Sequence, residues 1–249
     1  MKRILLFIMA LSTVTGCKSQ ADKDFAKLIK LCNNDRYSEA IQFADTCITR
    51  YPDEYKFYSE RGFCHIQSRN IESARADIEK CLQLKSSSTR CMALMGLVNE
   101  AEGHFDAAEN DLKTAIAREY AKSSKSLYYR YLGDFYYRSK KDVPKSIAQY
   151  TEALRLNKRN GAAYYNLGSV FFAVNEKEFA EQRWLKGLKI ADYDETRFKH
   201  MTFYGLAYLY FERRDYWKAK EMIKKALELA PSNEQYLRFS KTITEQLKS

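Results

Sequence analysis

An all-α chain of stacked helix pairs is the fold class that the sequence predicts, and three observations predict it. Small residues recur at an interval of 34 residues, lengthened around Pro144 and again near Tyr193 to Phe198. Large apolar residues surround them at helical spacing. Only 9 Gly and 3 Pro interrupt 249 residues, too few for the many tight turns of an all-β protein. A 45% hydrophobic share excludes a disordered chain, and the length suffices for a substantial core.

The N-terminal segment is expected to be an address rather than part of the body. Lys2 and Arg3 precede an apolar run from Ile4 to Leu11, and small residues follow up to Cys17. This order describes a secretory signal peptide. The run is far shorter than the roughly 20 apolar residues that a membrane-spanning helix needs. Its ending, Val14-Thr15-Gly16-Cys17, resembles the lipobox of bacterial lipoproteins. That resemblance implies removal of residues 1–16, a diacylglycerol thioether on Cys17 and a short tether over residues 17–23. Lys18, where enteric bacteria use Asp to retain lipoproteins in the inner membrane, favours the outer membrane by analogy.

The repeats follow. Ala40, Ala74 and Ala108 stand 34 residues apart, and Ser146, Ala180 and Ala219 continue the series. Gly62, Gly96, Gly133, Gly168 and Ala207 occupy a second slot, where the first copy has Leu28. Cys47, Cys81, Ala115, Ala153, Gly187 and Ala226 occupy a third. Small side chains at such slots let two helices approach closely. Tyr129, Leu132, Gly133 and Tyr136 mark one amphipathic face, which returns as Tyr164, Leu167, Gly168 and Phe171, then as Phe203, Leu206, Ala207 and Tyr210. A second helix follows in each copy, as in Ala219, Ile223, Ala226 and Leu227; Pro52 and Pro231 end such helices.

This period and pattern resemble the tetratricopeptide repeat. The resemblance covers nearly all the chain after Cys17, in six copies at about 21–54, 55–88, 89–122, 126–160, 161–194 and 200–233. It is weakest in the first helix of copy one, where Phe25, Leu28 and Leu31 only approximate the pattern. Residues 234–249 carry an apolar stripe through Tyr236, Leu237, Phe239, Ile243 and Leu247, as a capping helix requires. The resemblance implies a right-handed α-solenoid over residues 24–249, with a shift of the superhelix near Tyr193 to Lys199, where the period breaks.

It also implies that the first helix of each repeat lines a concave face at repeat positions 2, 5, 9 and 12. On that basis Arg130, Tyr137, Tyr165, Phe172, Tyr204, Tyr208 and Phe211 are candidate partner-binding residues, because exposed aromatics beside Arg are typical interface anchors. Packing between repeats is the competing role for Tyr165, Tyr204 and Tyr208. The carboxylate clamp of chaperone-binding members is not matched, since Phe25, Ile29, Ala93 and Leu97 replace its polar residues.

Charge is uneven. Residues 118–249 hold 26 Lys and Arg against 16 Asp and Glu, a net +10, whereas residues 17–117 hold 14 against 16. Lys140, Lys141 and Lys145 form a candidate basic patch for an acidic protein partner, an anionic envelope polymer or lipid headgroups. Nucleic acid suits the charge but not an exported lipoprotein. His65, His104 and His200 lack ligand-spaced neighbours, and no phosphate-loop, zinc or nucleophile-elbow pattern occurs. His65 is expected to be packed. No enzyme, cofactor, metal or small-molecule substrate is therefore expected. If Cys17 is lipidated, five Cys remain, an odd number. Cys47 and Cys81 sit in a packing slot, so buried free thiols are expected rather than a structural disulfide.

Together these readings predict a membrane-anchored adaptor that binds proteins in a bacterial envelope. A pilotin-like or assembly-machine lipoprotein is the alternative within that class. An envelope enzyme or a polysaccharide-binding protein is the alternative outside it.

Overall fold

The computed structural model describes residues 19–190 and 196–248, with the side chains of 196 and 197 excepted. The lipobox, Cys17 and the signal segment lie outside the described residues, as does much of the junction expected near Tyr193. Among the described residues every regular element is an α-helix. Six consecutive pairs form: α1 (Gln20–Asn33) with α2 (Tyr37–Arg50), α3 (Tyr55–Gln67) with α4 (Ile71–Leu84), and α5 (Thr89–Ala101) with α6 (Phe105–Arg118). The next are α7 (Lys122–Arg138) with α8 (Val143–Leu156), α9 (Gly161–Ala173) with α10 (Lys177–Ile190), and α11 (Thr196–Glu212) with α12 (Tyr216–Leu229). A final helix, α13 (Glu234–Gln246), packs on α12.

The helix starts obey local chemistry. The side chains of Asn70, Ser88, Asp142, Asn160, Asp215 and Asn233 each accept a backbone N–H of the first turn that would otherwise lack a partner. Ser19 does the same for α1, accepting from the Asp22 amide at 3.1 Å. This corrects the expected tether over residues 17–23, because residues 20–23 are the first turn of α1.

Each pair turns in the same way. Asp35, Arg69, Gly103, Lys141, Asn175 and Arg214 all have φ between 55° and 83°. The next residue's amide then reaches back to a carbonyl in the last turn of the first helix. Asn70 to His65, His104 to Asn99 and Glu176 to Phe171 are 2.9, 2.8 and 2.9 Å. This left-handed stop satisfies carbonyls that the helix end would leave unpaired.

Helix pairs are locked by unequal partners. An added Cβ on Gly62 would meet Ile78 at 2.7 Å, and one on Gly96 would meet Leu112 at 2.8 Å. At Gly133 the neighbour is the Tyr150 ring, and at Gly168 the Trp184 indole. The second helix thus lays a large side chain over the bare backbone of the first. Copy one reverses the sizes: Leu28 fills the glycine slot and Ala44 takes the position of Ile78, with both wholly buried in one cluster. The weak sequence match of α1 is a swap of partners, not a loss of packing.

One expectation about cysteine is overturned. Cys81 and Cys91 form a disulfide, with Cα atoms 6.3 Å apart, joining α4 to α5. The packing slot of Cys81 faces the start of the next repeat, and there a second Cys waits. Cys32, Cys47 and Cys64 are buried free thiols.

First helices of successive repeats touch from α1 through α11, whereas second helices of successive repeats do not pack comparably among the described residues. The stack therefore curves with the first helices on its inner side. No helix of the described residues is long and apolar enough to cross a membrane.

Candidate functional site

The inner side carries two different surfaces. The first, on α3, α5 and α7, is a set of fixed charges. Glu60, 4% exposed, accepts from Arg90 Nε and Nη2 at 3.0 and 2.8 Å. The same guanidinium covers the Phe63 ring. Glu100 accepts from Arg138 Nη2 at 3.3 Å and from Ser139 Oγ at 2.6 Å. Asp134 is the hub of the next layer. Its Oδ1 accepts from Tyr150 Oη and Asn166 Nδ2, both at 2.6 Å, and its Oδ2 from Arg130 at 3.0 Å. Three consecutive helices, α7, α8 and α9, thus meet at one carboxylate. Burial raises the Tyr150 phenol far above its ordinary range, and the Asp134 charge adds to that. The pair is held as phenol donor and carboxylate acceptor.

Arg130 is therefore mainly a structural partner. It bonds Asp134 and lies 4.6 Å over the Tyr131 ring. Tyr137 packs on the apolar cluster of Tyr150, Leu167 and Val170. Neither belongs to the aromatic surface that the sequence suggested.

That second surface exists further along. Phe172 meets Tyr208 edge-on at 5.8 Å, and Tyr208 meets Phe239 at 5.7 Å. Phe239 also contacts Phe211 at 5.3 Å and Tyr204 at 5.6 Å. Tyr204 stacks on Tyr236 at 4.8 Å, and Gln235 donates to its hydroxyl. Four of the seven candidates, Phe172, Tyr204, Tyr208 and Phe211, thus form one shelf across α9, α11 and α13. Tyr165 lies beside Phe198 at 6.1 Å. Phe239 is the shelf member that sequence reasoning assigned only to the cap. Its spacing of three from Tyr236 puts both rings towards α11, and that was the available signal. Tyr208 is the most open of these rings, 40% exposed.

Two lysines of the basic patch have acid partners. Lys140 pairs with Asp106 at 3.3 Å, and Lys145 pairs with Asp142 at 2.9 Å. Both ammonium groups also lie over rings, of Phe105 and Tyr136 respectively. Lys141 supplies the left-handed turn residue between α7 and α8. All three lysines are exposed, so their charges stay at the surface, two of them beside acid partners.

His65 is packed beside Asp77, and burial lowers its pKa. A cavity of about 390 Å³ opens between α6, α7 and α8. Lys113, Lys125, Tyr129, Tyr136 and Gln149 line it, with aliphatic neighbours and no carboxylate, His or Cys. Among the described residues no group of three or more His, Cys, Asp or Glu is placed to hold a metal ion.

Close-approach slots, a shared left-handed stop and curvature with the first helices inside define a helical-repeat solenoid. Tetratricopeptide repeats are found in the chain: the family model described as "Tetratricopeptide repeat" matches residues 55–88 and 202–233, and one described as "TPR repeat" matches 133–175. The fold is similar to yeast Tom70, with a TM-score of 0.70, 15% identity, and coverage of 92% of this chain and 47% of that one. It is also similar to a chain of the APC/C hetero-tetramer Cut9–Hcn1 (0.66, 17% identity, 90% and 42%). Pseudomonas aeruginosa pilF matches at 0.58 and 14% identity, over 89% of this chain and 97% of that one. By sequence, the chain is 27% identical over 130 residues to the human protein O-mannosyl-transferase TMTC2. It is 26% identical over 138 residues to human tetratricopeptide repeat protein 16. These matches take in about half of this chain but only 15% and 16% of those proteins. Repeats of this family generally mediate protein–protein interaction.

Proposed function

We propose that the chain is a non-catalytic scaffold that holds a protein partner on its inner side, anchored by lipid at Cys17 in a bacterial envelope. The observation that carries the binding reading is the aromatic shelf. Tyr204 and Phe211 are fixed by ring contacts with Phe239, and Tyr208, the most open ring, bridges Phe239 to Phe172. A rigid aromatic platform loses little entropy when a partner covers it, which is why such rings act as anchors. The neighbouring charges on α3 to α7 are already paired within the chain, so they set shape more than they attract. An acidic partner is favoured by the net +10 of residues 118–249, not by Lys140 and Lys145. The anchoring reading is supported by the sequence through Cys17, and α1 beginning at Gln20 would hold the first repeat close to that lipid.

The test is crosslinked capture from intact envelopes. Tyr208→Ala should weaken capture by about 1–3 kcal/mol while leaving the helical spectrum unchanged. Unchanged capture by Tyr208→Ala and Phe172→Ala would move the binding site elsewhere. An unmodified Cys17 in the mature protein, read by mass spectrometry, would remove the anchor.

A further inference from the structure

We propose that Cys32 and Cys64 are the two halves of a second disulfide, a covalent staple between the first and second repeats. Their sulfurs lie 2.9 Å apart across the α1–α3 contact. Closing to a bond needs only about 0.9 Å of further approach. Both sit in one apolar cluster with Leu28, Ala40, Ala44, Cys47 and Phe57. The approach follows from the repeat register. Cys32 is in the last turn of α1 and Cys64 near the end of α3, and successive first helices touch. Cys47 shares the cluster but fills the close-approach slot of α2, so it remains the unpaired thiol of the five.

The chemistry is thiol–disulfide exchange with a small-molecule or protein disulfide as oxidant. The Cys32 thiolate attacks one sulfur of the donor, releasing a thiol and leaving a mixed disulfide. The Cys64 thiolate then displaces the second donor thiol. Overall, two protein thiols lose two hydrogens, and one donor disulfide becomes two thiols. Cys32 is the entry point. It is 4% exposed, whereas Cys64 is wholly covered, and it lies in the first described pair, which among the described residues packs against one neighbouring pair. Local opening starts at such ends. Hydrogen bonding to Cys32 and burial both hold the Cys64 thiol protonated in the closed state. The exchange is therefore slow and gated by lifting of α1.

With Cys81–Cys91 already joining α4 to α5, the staple would tie repeats one, two and three into one covalent block. Residues 92–249 contain no Cys, so repeats four to six stay free of such ties. The region that would be stiffened is the one nearest the proposed anchor. The pairing rests on packing alone and stands whether or not Cys17 carries lipid.

The test uses the full chain incubated with oxidised glutathione, quenched in acid, unfolded, alkylated and digested with trypsin. Cleavage at Lys and Arg puts Cys32, Cys47 and Cys64 in separate peptides, 31–36, 37–50 and 62–69. The expected result is peptide 31–36 linked to 62–69, with Cys47 alkylated and the Cys81–Cys91 link present as internal control. Cys32→Ser should leave Cys64 alkylated and create no link to Cys47. In the linked form, amide exchange in α1 should slow relative to Cys32→Ser. Cys32 and Cys64 recovered as separate alkylated or glutathionylated peptides would overturn the proposal. So would a link from either to Cys47.

Discussion

Gly133→Ala separates packing from propensity. In an isolated helix the change would stabilise by about 1 kcal/mol. Here the new methyl would sit 2.7 Å from Tyr150 Cε1 and 2.8 Å from Cδ1. The ring is 2% exposed, and its hydroxyl is held to Asp134 at 2.6 Å. Relief therefore means either strain of about 1–3 kcal/mol or loss of a hydrogen bond to a carboxylate, about 1.5–3 kcal/mol. After the propensity gain, a net loss of roughly 1 kcal/mol is expected. Gly62→Ala is the control. Its methyl would meet Ile78 Cδ1, also at 2.7 Å, but that is the end of an aliphatic chain with no polar bond to lose. A rotamer adjustment of about 1 kcal/mol nearly cancels the propensity gain there. Urea unfolding followed by far-ultraviolet ellipticity measures both, with the slope checked for constancy. In a Tyr150→Phe background, the Gly133→Ala penalty should shrink because the tether to Asp134 is gone. Equal stabilities for the two alanine variants would refute the reasoning.

Other variants probe other layers. Arg69→Gly places glycine at a left-handed turn residue with φ 61° and should stabilise by about 1 kcal/mol in the same unfolding assay. Reduction of Cys81–Cys91 reopens a loop with a sequence separation of 10. It should cost about 3 kcal/mol, read as a lower urea midpoint in reductant. Arg90→Ala strands the Glu60 carboxylate, 4% exposed, and should cost about 3 kcal/mol, with Arg90→Ala/Glu60→Leu closer to the parent. Glu109 is held below its ordinary pKa of 4.5 by the Lys113 hydrogen bond, with Tyr136 adding to it against burial. Its contribution is thus present above pH 4.5 and is lost as pH falls through the lowered folded value. Glu109→Gln should be less stable near neutrality and show a shallower acid loss in a pH series of unfolding curves.

The fold was legible because its determinants recur. Small slots recur in all six copies and the aromatic positions in copies four to six, so one period read repeatedly outweighs any single deviation. What escaped was whatever copies do differently. The left-handed turn residue is Gly only at Gly103; Asp35, Arg69, Lys141, Asn175 and Arg214 reach the same conformation without it. No residue type marks that slot, because the helix-end hydrogen bonds impose the conformation. The Leu28–Ala44 reversal hid copy one for a related reason: packing conserves the summed volume of two positions, not the size at either. The disulfide was missed because Cys81 and Cys91 are neighbours across a repeat boundary, and slot-by-slot comparison treats each Cys as a variant of Ala. The pairings within the basic patch were not legible because the partners Asp106 and Asp142 come from the preceding turn and from the patch's own loop. A charge count over a segment cannot see either pairing.

These same irregularities give the stack its order. At repeat boundaries a residue of one second helix faces the late first helix of the next copy, and three kinds of contact serve four boundaries. Arg75 donates to Asn99 at 2.8 Å, Tyr136 donates to Glu109 at 2.8 Å, and Tyr210 donates to Glu181 at 2.6 Å. Between the fourth and fifth copies the corresponding Ile147 and Phe171 pack on one apolar cluster instead. Exchanging copies would bury Arg75 against Phe171, or leave Glu181 facing Asn99 without its phenol, at a cost of about 1–3 kcal/mol for each polar group left unpaired. Identical repeats could stack in any order or slip by one copy. Three kinds of junction over four boundaries penalise most such exchanges, the Tyr–Glu pair being the one that recurs, so the position of the aromatic shelf at the end farthest from Cys17 along the chain is set by pairings spread over the array.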